Sequence, residues 1–227
     1  MSCGVTLGSG NSEGFLLNHL DSVAAFNVRK IPHDARKISE KQNSSPAKDA
    51  ELFAYSRTML ILMAGLPGTG KSTLSRALAT ELGGTVIDKD RVRAALFDAP
   101  DIEYSTEQDE FCMRVMLKVA GYLLRKDPER KVFLDGRTFS RSYQLARATG
   151  YAIALGQPWR ILECVCSEET ARERLEHDGS HPATNRDFEL FLEVKGRFEE
   201  ITLPKTVVDT DQPLEICLQQ AKLALEK

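Results

Sequence analysis

Lys71, Ser72 and the glycines just before them are the residues of this chain best equipped for chemistry. Residues 65–72 read Gly-Leu-Pro-Gly-Thr-Gly-Lys-Ser, the G-x-x-x-x-G-K-[ST] pattern whose backbone N–H groups curl around phosphate oxygens. Gly65, Gly68, Thr69 and Gly70 would form that cradle, and Thr73 would follow in the first helical turn. Lys71 would reach the outer phosphates and the Ser72 hydroxyl would ligate Mg²⁺. The pattern follows the apolar run Met59-Leu60-Ile61-Leu62-Met63-Ala64 and runs into the helical stretch from Ser72 to Ala79. A strand before and a helix after are the setting in which the helix N-terminus adds its positive dipole end to the phosphate grip. The sequence therefore predicts binding of a nucleoside triphosphate with magnesium.

A second constellation lies one strand later. Val86-Ile87-Asp88-Lys89-Asp90-Arg91-Val92-Arg93 carries two carboxylates and an arginine in a D-x-D-x-x-R pattern. Phosphoryl transfer to a hydroxyl needs a carboxylate that orients the hydroxyl and takes its proton. It also gains from a guanidinium fork that holds the acceptor. Asp90 and Arg93 stand three apart at a helix start and share a face, so they read as acceptor-side base and clamp. Asp88 reads, with Ser72, as a magnesium ligand. Helix capping is the competing use of Asp88 or Asp90, since Asp is favoured at N-caps.

Lys131-Val132-Phe133-Leu134-Asp135 ends another apolar run in a carboxylate. Asp135 could hold a magnesium water or contact the acceptor, with Arg137 a second acceptor contact just beyond it. Ser140 reads as a helix cap. Residues 168–177, the polar loop after them and Asn185-Arg186-Asp187 make a helix–loop–helix with arginines at both ends. Read as a lid over about 168–187, it would bring Arg172 and Arg186 onto the phosphates, neutralise charge and exclude water. The alternative is a solvated helix with i,i+4 pairs such as Arg172 with Glu176. His177 and His181 read as surface residues. Thr206-Val207-Val208-Asp209-Thr210 leads into Asp211-Gln212-Pro213, which is placed to meet the nucleotide base.

These side chains need elements to position them. Strand-like runs at 59–64, 85–88, 131–135, 159–166 and 206–209 alternate with helical patterns. The helical patterns cover 71–82, 90–97, 106–126, 139–155, 168–177, 187–200 and 213–227. That alternation implies βαβ units and an α/β fold in three layers, a parallel sheet covered on both faces. Ligands in such sheets sit beyond the C-terminal strand ends, where the polar residues above fall. The first 58 residues differ: a Gly/Ser/Asn cluster opens them and the polar run from Ser39 to Lys48 closes them. They read as extension and linker before a domain at 59–227. Phe15, Leu16, Leu20, Val23 and Phe26 could line one helical face there. Glu13 and Asp21 count against an organellar transit peptide, and translation from Met59 is another reading.

Composition sets outer limits. No apolar run approaches the ~18 residues that span a bilayer, and a basic start with a continuous apolar segment is missing, so neither a membrane span nor a secretory leader is expected. Five cysteines at 3, 112, 164, 166 and 217 form no C-x-x-C pair. They read as small hydrophobes in a reducing cytoplasm. A net charge of −3 and a pI near 5.9 count against a long nucleic-acid partner, while Arg91, Arg93, Arg137, Arg141 and Arg147 allow a local basic patch.

Gly65 to Thr73, the Asp88/Asp90/Arg93 segment, the Asp135 strand and Arg172 through Arg186 resemble the zeta-toxin-like, AAA-domain predicted kinases of bacteria. His181-Pro182-Ala183 with Asn185-Arg186, and Val208-Asp209-Thr210, fit the same group. Wider kin are phage polynucleotide kinase, adenylylsulfate kinase and chloramphenicol phosphotransferase. The resemblance covers 59–227 and implies a five-stranded P-loop kinase fold using ATP and Mg²⁺. In polynucleotide kinase the D-x-x-R carboxylate is the base and its arginine holds the acceptor, roles the resemblance carries to Asp90 and Arg93. Adenylylsulfate kinase uses a similar segment for another acceptor. The reading that follows is a cytoplasmic kinase moving the γ-phosphoryl of ATP to a hydroxyl of a small molecule. A 5′-hydroxyl polynucleotide kinase is the alternative within the same chemistry. An ATP-binding switch or adaptor with slow hydrolysis is the alternative of another class, although neither an N-K-x-D motif nor an L-S-G-G-Q-like signature is present.

Overall fold

A computed structural model describes residues 58–177 and 187–226. The expectations for residues 1–57, for the loop at 178–186 and for Arg186 and His181 within it lie outside the described residues. Thr58, read as the end of the extension, is buried and donates from Oγ1 to the Asp127 carbonyl at 3.2 Å.

The chain runs β1 (Met59–Ala64), α1 (Lys71–Leu82), β2 (Thr85–Asp88), α2 (Lys89–Leu96), α3 (Thr106–Lys126), β3 (Lys131–Asp135), α4 (Ser142–Ala154), β4 (Trp159–Val165), α5 (Glu168–His177), α6 (Phe188–Gly196), β5 (Thr206–Asp209) and α7 (Leu214–Leu225). The five strands form one sheet in the order β2-β3-β1-β4-β5. Every strand pair is parallel, which is the three-layer α/β fold expected. All six residues of β1 are buried, as befits a central strand covered on both faces.

The period of two along the strands divides the core. Leu60, Leu62, Val132, Leu134 and Ile161 face α3 and α4, where Met113, Met116, Ala120, Leu145 and Ala148 meet them. Ile61, Met63, Phe133, Leu162 and Val208 face α1 and α7, meeting Leu74, Leu78, Cys217, Leu218 and Ala221. At roughly 1.5–3 kcal/mol for each large aliphatic side chain fully buried, these two layers are what holds the strand ends in place. Trp159 opens β4 beside Leu60 and packs on the first layer. No described helix is long and apolar enough to cross a membrane.

Boundaries differ from the sequence expectation at points with physical causes. Helix α4 starts at Ser142 rather than 139, because Phe139 is buried with φ of 52°, a left-handed conformation that cannot be part of a right-handed helix. Ser140 accordingly caps nothing: Arg141 occupies the N-cap, and the Ser142 N–H is taken by Glu199 Oε2 at 2.7 Å. Those bonds, first that of the Ser142 N–H and then those of Arg141, hold the Glu199 carboxyl below its ordinary range. Helix α6 ends at Gly196 rather than 200, and β4 ends one residue before Cys166.

Candidate active site

The turn from β1 into α1 is built by backbone geometry that side chains would obstruct. Gly68 and Gly70 sit at φ of 78° and 73°, the left-handed region that favours glycine. At Gly65 a Cβ would lie 2.2 Å from the Cys164 carbonyl oxygen. Gly70 is the N-cap of α1 and no side chain caps this helix, so its first-turn amides are left for an anion. Lys71 is buried and its Nζ donates to the Leu66 carbonyl at 2.5 Å, an ammonium held inside the loop. Thr69 closes the turn from its hydroxyl to the same carbonyl at 2.8 Å. Ser72 faces the adjoining cavity, while Thr73 is exposed.

That cavity has a volume of about 320 Å³, and both sequence constellations line it: Lys71 and Ser72 on one wall, Asp90, Arg93 and Arg137 on another. Helix α2 delivers Asp90 because Asp88 caps it, accepting from the N–H groups of Asp90 and Arg91 at 2.9 and 3.2 Å. Asp90 Oδ1 accepts from Arg93 Nη1 at 2.7 Å and lies 3.9 Å from Lys89 Nζ. The other end of the Arg93 fork is held by Asp109 Oδ1, which also takes Lys89 Nζ at 2.7 Å. Arg93 is fully buried and stacks over the Tyr104 ring at 4.9 Å. Both ends of its fork are thus engaged by protein carboxylates rather than open to an acceptor. Arg137 is buried as well, with Nη2 donating to Glu110 Oε1 at 2.6 Å, and the second Glu110 oxygen pairs with Arg147. Asp109 and Glu110, near the start of α3, are the residues that sequence reasoning missed here.

Asp135 does not reach the cavity wall. Its side chain is completely buried, with Oδ2 accepting from Ser75 Oγ at 3.3 Å, one turn beyond Ser72. It is thus not among the side chains that line the acceptor side of the cavity. Its Oδ1 is buried without a partner, which costs roughly 1–3 kcal/mol or more for such an atom. A donor brought by a ligand would remove that cost. Asp88 sits beside it in register at the end of β2, but its Oδ1 is committed to the cap and its Oδ2 faces Arg76 at 3.6 Å. Among the described residues no three His, Cys, Asp or Glu side chains gather into a metal cage. A nucleotide-bound Mg²⁺ needs none, since phosphates and waters supply most of its ligands. The hydroxyl of Ser72 and the orphaned Asp135 oxygen fit that hydrated ion better than a caged one.

On the other side of β1, Arg174 meets the phosphate loop. Its Nη1 lies 3.5 Å from the Gly68 carbonyl and 3.0 Å from Thr210 Oγ1, and its Nη2 donates to the Thr210 carbonyl at 2.7 Å. The Thr210 hydroxyl is within 3.2 Å of the Thr69 carbonyl, so one arginine and one threonine tie α5, the loop and the end of β5 together. Asp211 extends the tie, taking the Ser167 N–H at 2.8 Å. Its hydrogen bonds, that of Thr170 first, hold its carboxyl below the ordinary range. Arg172 points elsewhere, its guanidinium 3.8 Å over the Phe188 ring. Helix phase offered no signal here: Arg174 follows buried Ala171 by three residues and Arg172 precedes buried Leu175 by three, so the two flank the buried face of α5 alike.

The four described cysteines are free thiols. Burial pushes the Cys164 thiol up to about 12, so that thiol is no nucleophile.

A family model described as AAA domain matches residues 60–201. No curated protein sequence matches the chain. Among solved structures, a gluconokinase from Sinorhizobium meliloti 1021 is 18% identical, with 73% of this chain and 90% of that one covered at a TM-score of 0.55. The Mycobacterium tuberculosis APS kinase CysC, in complex with AMPPNP and APS, is 18% identical over 75% and 99% at 0.56. Chaetomium thermophilum Kti12, in complex with ADP-AlF3, is 19% identical over 73% and 97% at 0.56. Likeness at these identities establishes a common fold.

Proposed function

Because the chain belongs to the AAA domain family and has the P-loop kinase-like fold, we propose that it is an ATP-dependent kinase acting on a hydroxyl of a small molecule. One observation carries the reading: Lys71 and Ser72 of the phosphate loop and Asp90 of the acceptor side line the same cavity. Its volume of about 320 Å³ lies at the small-molecule end of ligand sites, which favours a metabolite over an oligonucleotide. The kinase unit in this reading is 59–227, with 1–58 an extension, and the free thiols suit a cytoplasmic setting.

The loop amides and Lys71 hold the donor phosphates and stabilise charge on the transferring group. Ser72 and, behind it, Asp135 are the residues that would hold a hydrated magnesium ion, which would neutralise phosphate charge. Asp90 orients the acceptor hydroxyl. Its Oδ1 is fixed by Arg93, and no described residue bonds Oδ2; that oxygen accepts the hydroxyl proton as the new P–O bond forms. The bond from the γ-phosphorus to ADP breaks, and ADP leaves with its electron pair.

Incubation with γ-labelled ATP, Mg²⁺ and a metabolite extract tests this. Label on an organic compound is expected. Free phosphate as the sole product, or ATP bound without turnover, overturns the kinase in favour of a switch or adaptor.

The fixed contacts of Arg174 lead to a further expectation. Removing charge-assisted bonds worth ~1.5–3 kcal/mol loosens the loop, so Arg174→Ala should weaken ATP binding roughly tenfold or more. Arg172→Ala should leave it within about twofold, because that side chain only covers Phe188. Titration with a non-hydrolysable ATP analogue separates the two.

A further inference from the structure

The acceptor cavity is charged in a way that the phosphate loop does not need. Beyond Lys71, five cationic side chains among the described residues line it, namely Lys89, Arg93, Arg137, Arg141 and Arg197, against two described carboxylates, Asp90 and Asp109. Both carboxylates are already engaged by Arg93, and Asp109 also by Lys89. The other three arginines have partners that stand outside the lining: Glu110 behind Arg137, Glu199 behind Arg141 and Glu193 behind Arg197. Each of these arginines thus lines the cavity while its paired carboxylate does not.

Arg137 is the decisive one. It is 5% exposed, it lines the cavity, and its Nε is buried without a partner. Holding a guanidinium there calls for the full use of Glu110, which is shared with Arg147. Arg141 and Arg197 are more open, at 40% and 46% side-chain exposure, and their surface pairs are weak enough to yield to a ligand. Forked donors on two walls suit a carboxylate, sulfate or phosphate group. A neutral polyol would leave this positive field unanswered.

We infer that the acceptor is an anionic small molecule, whose negative group is held by Arg137 and Arg141 while its hydroxyl faces Asp90. This rests on the kinase reading above and narrows its substrate class.

The test uses the full chain and an ultrafiltered metabolite extract split on an anion exchanger at neutral pH. Each fraction is incubated with γ-labelled ATP and Mg²⁺. Label in a compound from the retained fraction is expected, together with a rise of roughly tenfold or more in the acceptor KM for Arg141→Gln, the KM for ATP being unmoved. Arg137→Gln should do the same, and because Arg137 is buried, the exposed Arg141 keeps the test valid should that variant fail to fold. Label arising only from the unretained fraction overturns the anionic acceptor and leaves the kinase standing. Label arising only from the polymer held back by the filter overturns it in favour of an oligonucleotide. Retained-fraction label with both variants unchanged removes the arginines from acceptor binding. No labelled compound in any fraction overturns the kinase reading and this one with it.

Discussion

Replacing Lys71 by alanine should lower phosphoryl transfer by roughly a hundredfold to a thousandfold, the scale for losing one preorganised charge stabiliser. The ammonium is buried at the wall the cavity shares with Ser72. Its bond to the Leu66 carbonyl keeps it within the loop before any phosphate arrives, so little reorganisation is needed at the moment of reaction. The loop itself should survive the change: the turn is set by Gly68 and Gly70 in left-handed conformations and by the Thr69 hydroxyl. The loss should therefore fall mainly on kcat, measured with γ-labelled ATP and the acceptor recovered from extract. A rate unchanged from the parent would remove Lys71 from the mechanism.

Asp90→Asn should cost about a hundredfold to ten-thousandfold in kcat, the span of a positioned general base, with the KM for ATP nearly unmoved. Asparagine keeps the shape of the side chain and a bond to Arg93, but its amide cannot take a proton from the acceptor. Arg93 would then rely on Asp109 for its charge balance. A buried charge that loses a partner is destabilising by up to ~3–5 kcal/mol, so thermal unfolding has to accompany the kinetics. A folded variant turning over within about threefold of the parent would show that another group accepts the proton.

The parts of this protein governed by local rules were legible in its residues. An unbroken apolar run read as a buried strand, and the glycine spacing read as a phosphate loop, because each depends on neighbours in the chain. Four of the five strands carry the bounds expected of them, at 59–64, 85–88, 131–135 and 206–209. What escaped depends on contacts between distant segments. Arg174 reaches Gly68 across 106 positions, and choosing it over Arg172 needed that distant contact, since the two arginines flank the buried face of α5 alike. Asp109 and Glu110 look like ordinary acids near a helix's start, where the dipole favours negative charge. Only the packing of α2 and of the turn after β3 against α3 turns them into the holders of Arg93 and Arg137. Phe139 is harder still, since a buried aromatic in a left-handed conformation has no composition signature.

The position of Trp159 has a spectroscopic consequence. It is the chain's single tryptophan, and it begins a seven-residue strand whose other end points toward the phosphate loop. At ~3.3 Å per residue that separation is roughly 20 Å along the strand. Its emission should be blind to the nucleotide and the acceptor, yet should shift sharply once the β4 end leaves its packing on the first core layer. Intrinsic fluorescence thus provides a built-in gauge of folding that is silent on catalysis, and it can certify in the same cuvette that an inactive Lys71 or Asp90 variant has lost chemistry rather than structure.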